Sequence, residues 1–327
     1  MSHRLPSVLG ALTAVGMVLA APIGFAQEFP ARPVRILSAY PTGVSPDLAA
    51  RILAERLGHL WGRTVLVEPR PGANGYLAVN ALKKANADGH DLLLVGNAHL
   101  TINPTLLKDI PYDAVADFVP VSMIYRAPFF IWVATNAPFR TVGELVAAAQ
   151  ANPERVSYST PYVGSPPHLG GAMLASFSGT KMLAVHFKEG SQVYTSIANG
   201  DVTFALGTTG STASLAKAGR LRALATGSPQ RLPSAPDVPT VREGGGPAGY
   251  EIDSWVAIVA PRGTPPAIVR RIGEDVGRAL AEPEVRERYR GLGVDAVSNN
   301  SSELAELIRV DLRRNAELVK RIGVTAE

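Results

Sequence analysis

Arg35-Ile-Leu-Ser-Ala-Tyr40, Pro41-Thr-Gly-Val44 and Ser45-Pro-Asp-Leu-Ala-Ala-Arg-Ile-Leu-Ala-Glu-Arg-Leu57 read as a strand, a loop and a helix in immediate succession. Ser45 suits an N-cap, Pro46 the first helical position where no amide donor is needed, and Asp47 the positive end of the helix dipole. Behind them Ala49, Leu53, Leu57 and Leu60 recur at helical spacing, while Arg51, Glu55 and Arg56 are left for solvent or a neighbouring element. A helix that starts this way presents unpaired amides beside a loop, where a carboxylate or phosphate can sit. The same grammar also suits any βα turn of an α/β domain.

Working outward, Thr64-Val-Leu-Val-Glu68 reads as a short buried strand, Pro69 to Gly75 as a tight loop, and Tyr76 to Ala87 as a helix stopped at Asp88-Gly89. Asp91-Leu-Leu-Leu-Val95 is a third strand, followed by the polar loop Gly96-Asn-Ala-His99. The order βαβαβ predicts a mainly parallel sheet with helical crossovers. Phe118 to Thr135 is long, apolar and broken only at Arg126-Ala-Pro128, as expected of a strand that carries the chain between domains. The capping box Thr141-Val-Gly-Glu144 opens a helix. A second α/β series then runs from Val156 to Ala225, with strands at Val156–Ser159, Met182–Phe187, Val202–Leu206 and Leu221–Ala225. Pro229 to Pro247, with its prolines and Gly244-Gly-Gly246, reads as irregular linker. Tyr250 to Ala260 alternates and then turns wholly apolar, which suits a returning strand, and helices follow at Pro265–Ala281, Pro283–Arg290 and Ser302–Arg321. Two crossings predict a discontinuous first lobe, residues 27–126 with 251–327, a second lobe over 127–250, and a hinge.

Composition narrows the function classes. The 327 residues are 46% hydrophobic and 18% charged, enough for a sizeable core. Residues 1–26 read as a cleaved secretory signal: a short segment with His3 and Arg4, an apolar stretch from Leu5, and Gly24-Phe-Ala26 before Gln27. Removing Arg4 with it leaves 31 basic and 28 acidic residues, net +3. No basic run interleaved with aromatics supports nucleic-acid binding, although a mildly positive field favours anionic ligands. Zero cysteines exclude disulfides, thiolate metal sites and a cysteine nucleophile. An exported, soluble, monomeric protein without a cofactor is expected.

Tyr158-Ser-Thr-Pro-Tyr-Val-Gly-Ser-Pro-Pro-His168 repeats the logic of the first loop. Ser165 caps, Pro166 or Pro167 starts a helix, and free amides would face the same crevice if both strands point their carboxyl ends towards it. His168 either donates to a carboxylate or packs in the first turn. Enzyme signatures are poor: Ser214-Leu-Ala-Lys217 has the Ser-x-x-Lys spacing of an exported hydrolase but lacks companion motifs, and a solvated helix explains it better. His99, His168 and His186 lie in separate segments without metal-ligand spacing, so no metal is expected. Arg70 and Lys188 are single basic residues of the kind usually found on surfaces.

Nine short motifs in order complete the reading. Arg35 to Asp47, Glu68-Pro-Arg-Pro-Gly-Ala-Asn-Gly75, Ala87-Asp-Gly89, Ile102-Asn-Pro-Thr-Leu106, Ile110-Pro-Tyr-Asp113, Gly164-Ser-Pro-Pro-His-Leu169, Lys217 to Leu224, Pro236-Asp-Val-Pro-Thr240 and Ala260-Pro-Arg-Gly-Thr-Pro265 together resemble the periplasmic solute receptors of tripartite tricarboxylate transporters, the Bug-type receptors. The resemblance implies a type II periplasmic-binding-protein fold: two α/β lobes joined by crossing strands around a ligand cleft. It implies a small organic carboxylate as ligand and the membrane permease subunits of a tripartite transporter as partner, or, as an alternative, a signalling partner. Carried over by position, the ligand-binding residues are Tyr40, Pro41, Thr42, Gly43, Val44 and Asp47 in the first loop, Asn97 and His99 after the third strand, Gly164, Ser165 and His168 in the second loop, and Gly207 and Thr208 after another strand.

Two departures from the family pattern stand out. Pro41-Thr-Gly-Val44 replaces a Pro-Pro-Gly-Gly loop, so a β-branched residue stands where a glycine is common. Leu206-Gly207-Thr208 lacks the acidic residue usual at that strand end, which argues against an ammonium-bearing ligand and for a plain carboxylate or a more apolar acid.

Overall fold

The computed structural model describes residues 29–153, 155–161, 163–187, 190–232 and 234–323. The leader at 1–26 and Lys188 lie outside the described residues.

Two sheets organise the chain. The first is built from β1 (Val34–Ser38), β2 (Val65–Pro69), β3 (Asp91–Gly96), β4 (Phe118–Pro128), β10 (Asp253–Pro261) and β11 (Asp295–Ala296), in the order β11-β4-β10-β3-β1-β2. Strands β1, β2 and β3 are parallel, with α1 (Ser45–Trp61) and α2 (Tyr76–Lys83) as crossovers, while β10 runs antiparallel to both β3 and β4. β3 is buried along its whole length, as its unbroken apolar run requires. One face of the sheet packs on α1, α8 (Pro266–Ala281) and α9 (Pro283–Gly291) through residues such as Leu53, Leu57, Ile272 and Tyr289. The other face packs on α2 and the first half of α10 (Ser301–Ile322) through Leu82, Trp255, Leu304 and Ile308.

The second sheet has the order β7-β6-β8-β5-β9, from β5 (Phe130–Ala134), β6 (Ser157–Thr160), β7 (Leu183–His186), β8 (Phe204–Gly207) and β9 (Leu221–Thr226). β6 is parallel to β7 and β8, with α5 (Pro166–Phe177) and α6 (Gly190–Asn199) between them, and β5 is antiparallel to β8 and β9. Before β6, α4 (Val142–Ala151) starts where its capping sequence places it, with the Thr141 hydroxyl accepting from the Glu144 amide. The apolar stretch expected to cross between lobes does so. β4 ends in the first sheet, and only Phe129 separates it from β5 in the second. The chain returns through Ile252, whose amide donates to the Gly227 carbonyl at 3.0 Å, while the Gly227 amide donates to the Phe129 carbonyl at 2.7 Å.

Several boundaries moved. Val44, not Ser45, is the N-cap of α1, so Ser45 and Pro46 are the first two helical residues and Asp47 lies inside the first turn. α2 ends at Lys83, four residues short of the expected stop. The Pro229–Pro247 stretch is irregular but pinned: the Thr226 amide donates to the Pro239 carbonyl, and the Glu243 carboxylate accepts from the Thr240 amide.

Candidate functional site

The lobes meet at the carboxyl ends of their parallel strands. Leu106, which ends the short α3 (Asn103–Leu106) beyond β3, lies against Gly164, just beyond β6, so closely that a Cβ on Gly164 would overlap the leucine side chain. Ile102, Leu106 and Leu169 form a small apolar cluster there, with Val319 and Ile322 of α10 packed on it. At a second meeting point, Gly210 in the first turn of α7 (Thr209–Lys217) faces the Leu292 carbonyl and Gly293 that follow α9; a Cβ on either glycine would strike the opposing backbone. α10 spans both lobes: its first half packs on the first sheet, and Leu318 and Arg321 reach lobe 2, where the guanidinium lies 4.0 Å from the Phe177 ring centre. The strand ends of both lobes therefore enclose a common crevice.

In the first loop, Asp47 is completely buried, and its carboxylate accepts from the Gly43 amide at 2.9 Å and from Arg51 at 3.0 Å. The carboxylate thus folds the loop back on the helix. Gly43 has φ +85, a left-handed conformation that L side chains rarely adopt, with open space around it. Val44 has φ −80 and ψ 160, ordinary extended backbone that a β-branched residue takes without strain. The valine at this departure from the family pattern is therefore compatible with the loop. Pro41, Thr42, Gly43 and Val44 are exposed. The Leu48 amide returns to the Val44 carbonyl, while the amides of Val44, Ser45 and Asp47 have no partner among the described residues. Tyr40 turns its ring inward, edge-on to His99 at 5.2 Å, with its hydroxyl over Gly96.

After β3, the His99 ring is buried, and its Nδ1 accepts the Gly96 amide at 3.3 Å. Burial pushes its pKa down to about 4, so at neutral pH it is an uncharged Nε2–H tautomer beside Gly75. Asn97 works at the crossing instead: its amide nitrogen donates to the Asp253 carbonyl at 3.1 Å, and its oxygen accepts from the Ala98 amide and from the Ser254 hydroxyl.

The second loop mirrors this arrangement. Gly164, at φ +80, donates its amide to His168 Nδ1 at 3.0 Å, and burial with the neighbouring His186 lowers the His168 pKa to about 4. Ser165 is the N-cap of α5; its hydroxyl accepts from the His168 amide at 3.3 Å and pairs with Thr160 at 2.8 Å. Since Pro166 and Pro167 carry no amide, the row of free helix-terminal donors expected here does not exist. The polar side chains at this end are the His168 imidazole and the Ser165 hydroxyl. His186, read from the sequence only as one of three scattered histidines, stands 5.0 Å from His168, ring to ring. Gly207 ends β8 and accepts from Trp132 Nε1 through its carbonyl at 3.0 Å, and Thr208 is the N-cap of α7. Ser214 and Lys217 lie exposed on α7, and Arg70 is paired with Glu68. Among the described residues no group of three metal-ligating side chains comes together.

Two α/β lobes on crossing strands define a solute-binding protein of the periplasmic type. Residues 49–324 match the model of the tripartite tricarboxylate transporter family receptor, and the chain belongs to that family. It is 33% identical over 298 residues to a UPF0065 protein of Bordetella bronchiseptica, covering 91% of this chain and 88% of that one. Protein BugT of Bordetella pertussis is 30% identical over 321 residues, 98% of each chain. Among solved structures, Rpa4515 of R. palustris with adipate superposes with a TM-score of 0.82 at 26% identity, covering 91% of this chain and 99% of that one. The periplasmic binding protein BugD gives 0.78 at 28%, covering 91% and 100%.

Proposed function

We infer that the protein is a periplasmic receptor that captures a small organic carboxylate between its lobes and delivers it to the membrane permease of a tripartite transporter. The observation that carries this reading is the exposed first loop of α1, where Val44, Ser45 and Asp47 leave three amides unpaired at the positive end of a 17-residue helix. Hydrogen bonds to a charged acceptor contribute roughly 1.5–3 kcal/mol each, so two or three suffice for capture of a single carboxylate. Asp47 acts by holding Gly43 and hence the loop, not by touching ligand. His168 and His99 offer neutral Nε2–H donors from opposite lobes, Ser165 a hydroxyl, and Gly207 and Thr208 the far wall. Asn97 ties the hinge strand in place. Membership of a transport-receptor family and the adipate held by one of the structural relatives point to the same ligand class. No bond is made or broken in this role.

Calorimetric titration of the mature protein with short mono- and dicarboxylates, from succinate to suberate in size, tests the assignment. At least one acid binds and raises the melting temperature; ligand at about 100 times its Kd adds ~2.7 kcal/mol. A panel without any binder sinks it.

A further inference from the structure

The C-terminal helix α10 is gripped by both lobes. Asp311 and Asn315 tie its body to lobe 1: both side chains are buried, the Asp311 carboxylate accepts from Trp255 Nε1 of β10 at 2.8 Å, and the Asn315 amide nitrogen donates to Thr101 Oγ1 at 2.9 Å. Thr101 lies in the π-helical turn Ala98–Ile102 that also carries His99, and its hydroxyl donates to the Asn97 carbonyl at 2.8 Å.

Further along, the helix changes lobe. Leu318 packs on the core of lobe 2, and Val319 and Ile322 pack on the cluster in which Leu169 of α5 meets Ile102 and Leu106. The Arg321 guanidinium stands 4.0 Å from the ring centre of Phe177, the last residue of α5. The end of α10 therefore touches α5 near both of its termini, and Ser165 and His168 belong to the cap and first turn of that same helix. Gly323, at φ +66, stops α10 directly after these contacts.

The two attachments differ in kind. Leu304 and Ile308, which fix the helix on lobe 1, are 0% and 2% exposed, whereas Leu318, Val319 and Ile322 are only half-buried. A cavity of about 210 Å³ also interrupts the seam with lobe 2, between Met173 and Phe177 on one side and Asn315, Leu318 and Arg321 on the other. Gaps forfeit dispersion contacts, while buried hydrogen-bonded pairs are costly to separate, so the lobe 2 attachment is the one that releases. Parting the lobes with α10 fixed on lobe 1 strips its last turns from α5 and returns their apolar surface to water.

We propose that the last turns of α10 are an interlobe strap: docked on α5 they hold the lobes together, they release when the lobes part, and they thereby set the balance between open and closed forms. Its consequence for ligand capture rests on the receptor reading above.

Small-angle scattering and calorimetry on wild type, the double variant Leu318→Ala/Arg321→Ala and the single variant Arg321→Gln test it. None of these residues belongs to either loop assigned to the ligand. Without ligand the double variant has a larger radius of gyration than wild type, and Arg321→Gln, which changes only an exposed head group, shifts in the same direction. Saturating acid returns both to the wild-type radius, while their affinity for that acid falls about threefold or more because the closed, binding-competent fraction has shrunk. Ligand-free scattering of both variants superimposable on that of wild type overturns the proposal and leaves the receptor reading intact. Failure of wild type to bind any acid overturns the receptor reading, and the ligand-free comparison still decides the strap.

Discussion

The buried Asp47 carboxylate accepts the Gly43 amide at 2.9 Å from four residues further along the chain, locking the strand-to-helix turn. The same carboxylate holds Arg51 at 3.0 Å, so one side chain serves the loop, the helix dipole and a partly exposed arginine together. Asp47→Ala leaves the Gly43 amide without its acceptor and frees the loop. Ligand affinity falls at least tenfold and stability by about 1–3 kcal/mol, measured by calorimetry and denaturant melts.

Positions 43 and 44 separate backbone need from residue type. Gly43→Ala meets open space, yet its φ of +85 imposes a strain of roughly 1–2 kcal/mol, and binding weakens. Val44→Gly changes a residue whose backbone is already extended, so affinity stays within about twofold by the same titration.

The lobes approach each other closely at Gly210 and Gly293. In Gly210→Val the valine side chain strikes the Leu292 carbonyl and holds the lobes apart at this point. Small-angle scattering should then show no compaction on adding ligand, with affinity reduced at least tenfold and the ligand-free melting temperature nearly unchanged.

His99 and His168 are buried bases held near pKa 4 in the folded state, against 6.5 when exposed. Between those values the unfolded chain binds more protons, so the stabilisation they provide is complete above about pH 6.5 and is lost as pH falls towards 4. Each histidine contributes a slope of about 1.4 kcal/mol per pH unit in that window. Chemical melts across pH 4–8 check this, with His99→Gln removing one share of the slope.

Much of this was legible beforehand. Apolar runs such as Leu92–Val95 and Phe130–Val133 located buried strands, and the Arg126-Ala-Pro128 break fell where the chain leaves the first sheet. Local capping chemistry found the starts of α1 and α5 to within a residue. What it could not supply was the fate of individual donors. Whether the Gly43 and Gly164 amides are free depends on Asp47 and His168 folding back on them, a rotamer choice made by burial. The two prolines of α5 did carry a readable signal, since neither has an amide to offer. The contact of Arg321 with Phe177 joins residues on separate elements through packing alone, and no spacing rule encodes it.

A structure of the mature protein bound to whichever acid titrates most tightly tests the central claim most directly. The account predicts a carboxylate oxygen within hydrogen-bond distance of the Val44 or Ser45 amide, in the crevice between the two sheets. A carboxylate bound elsewhere, with those amides facing only water, would contradict it.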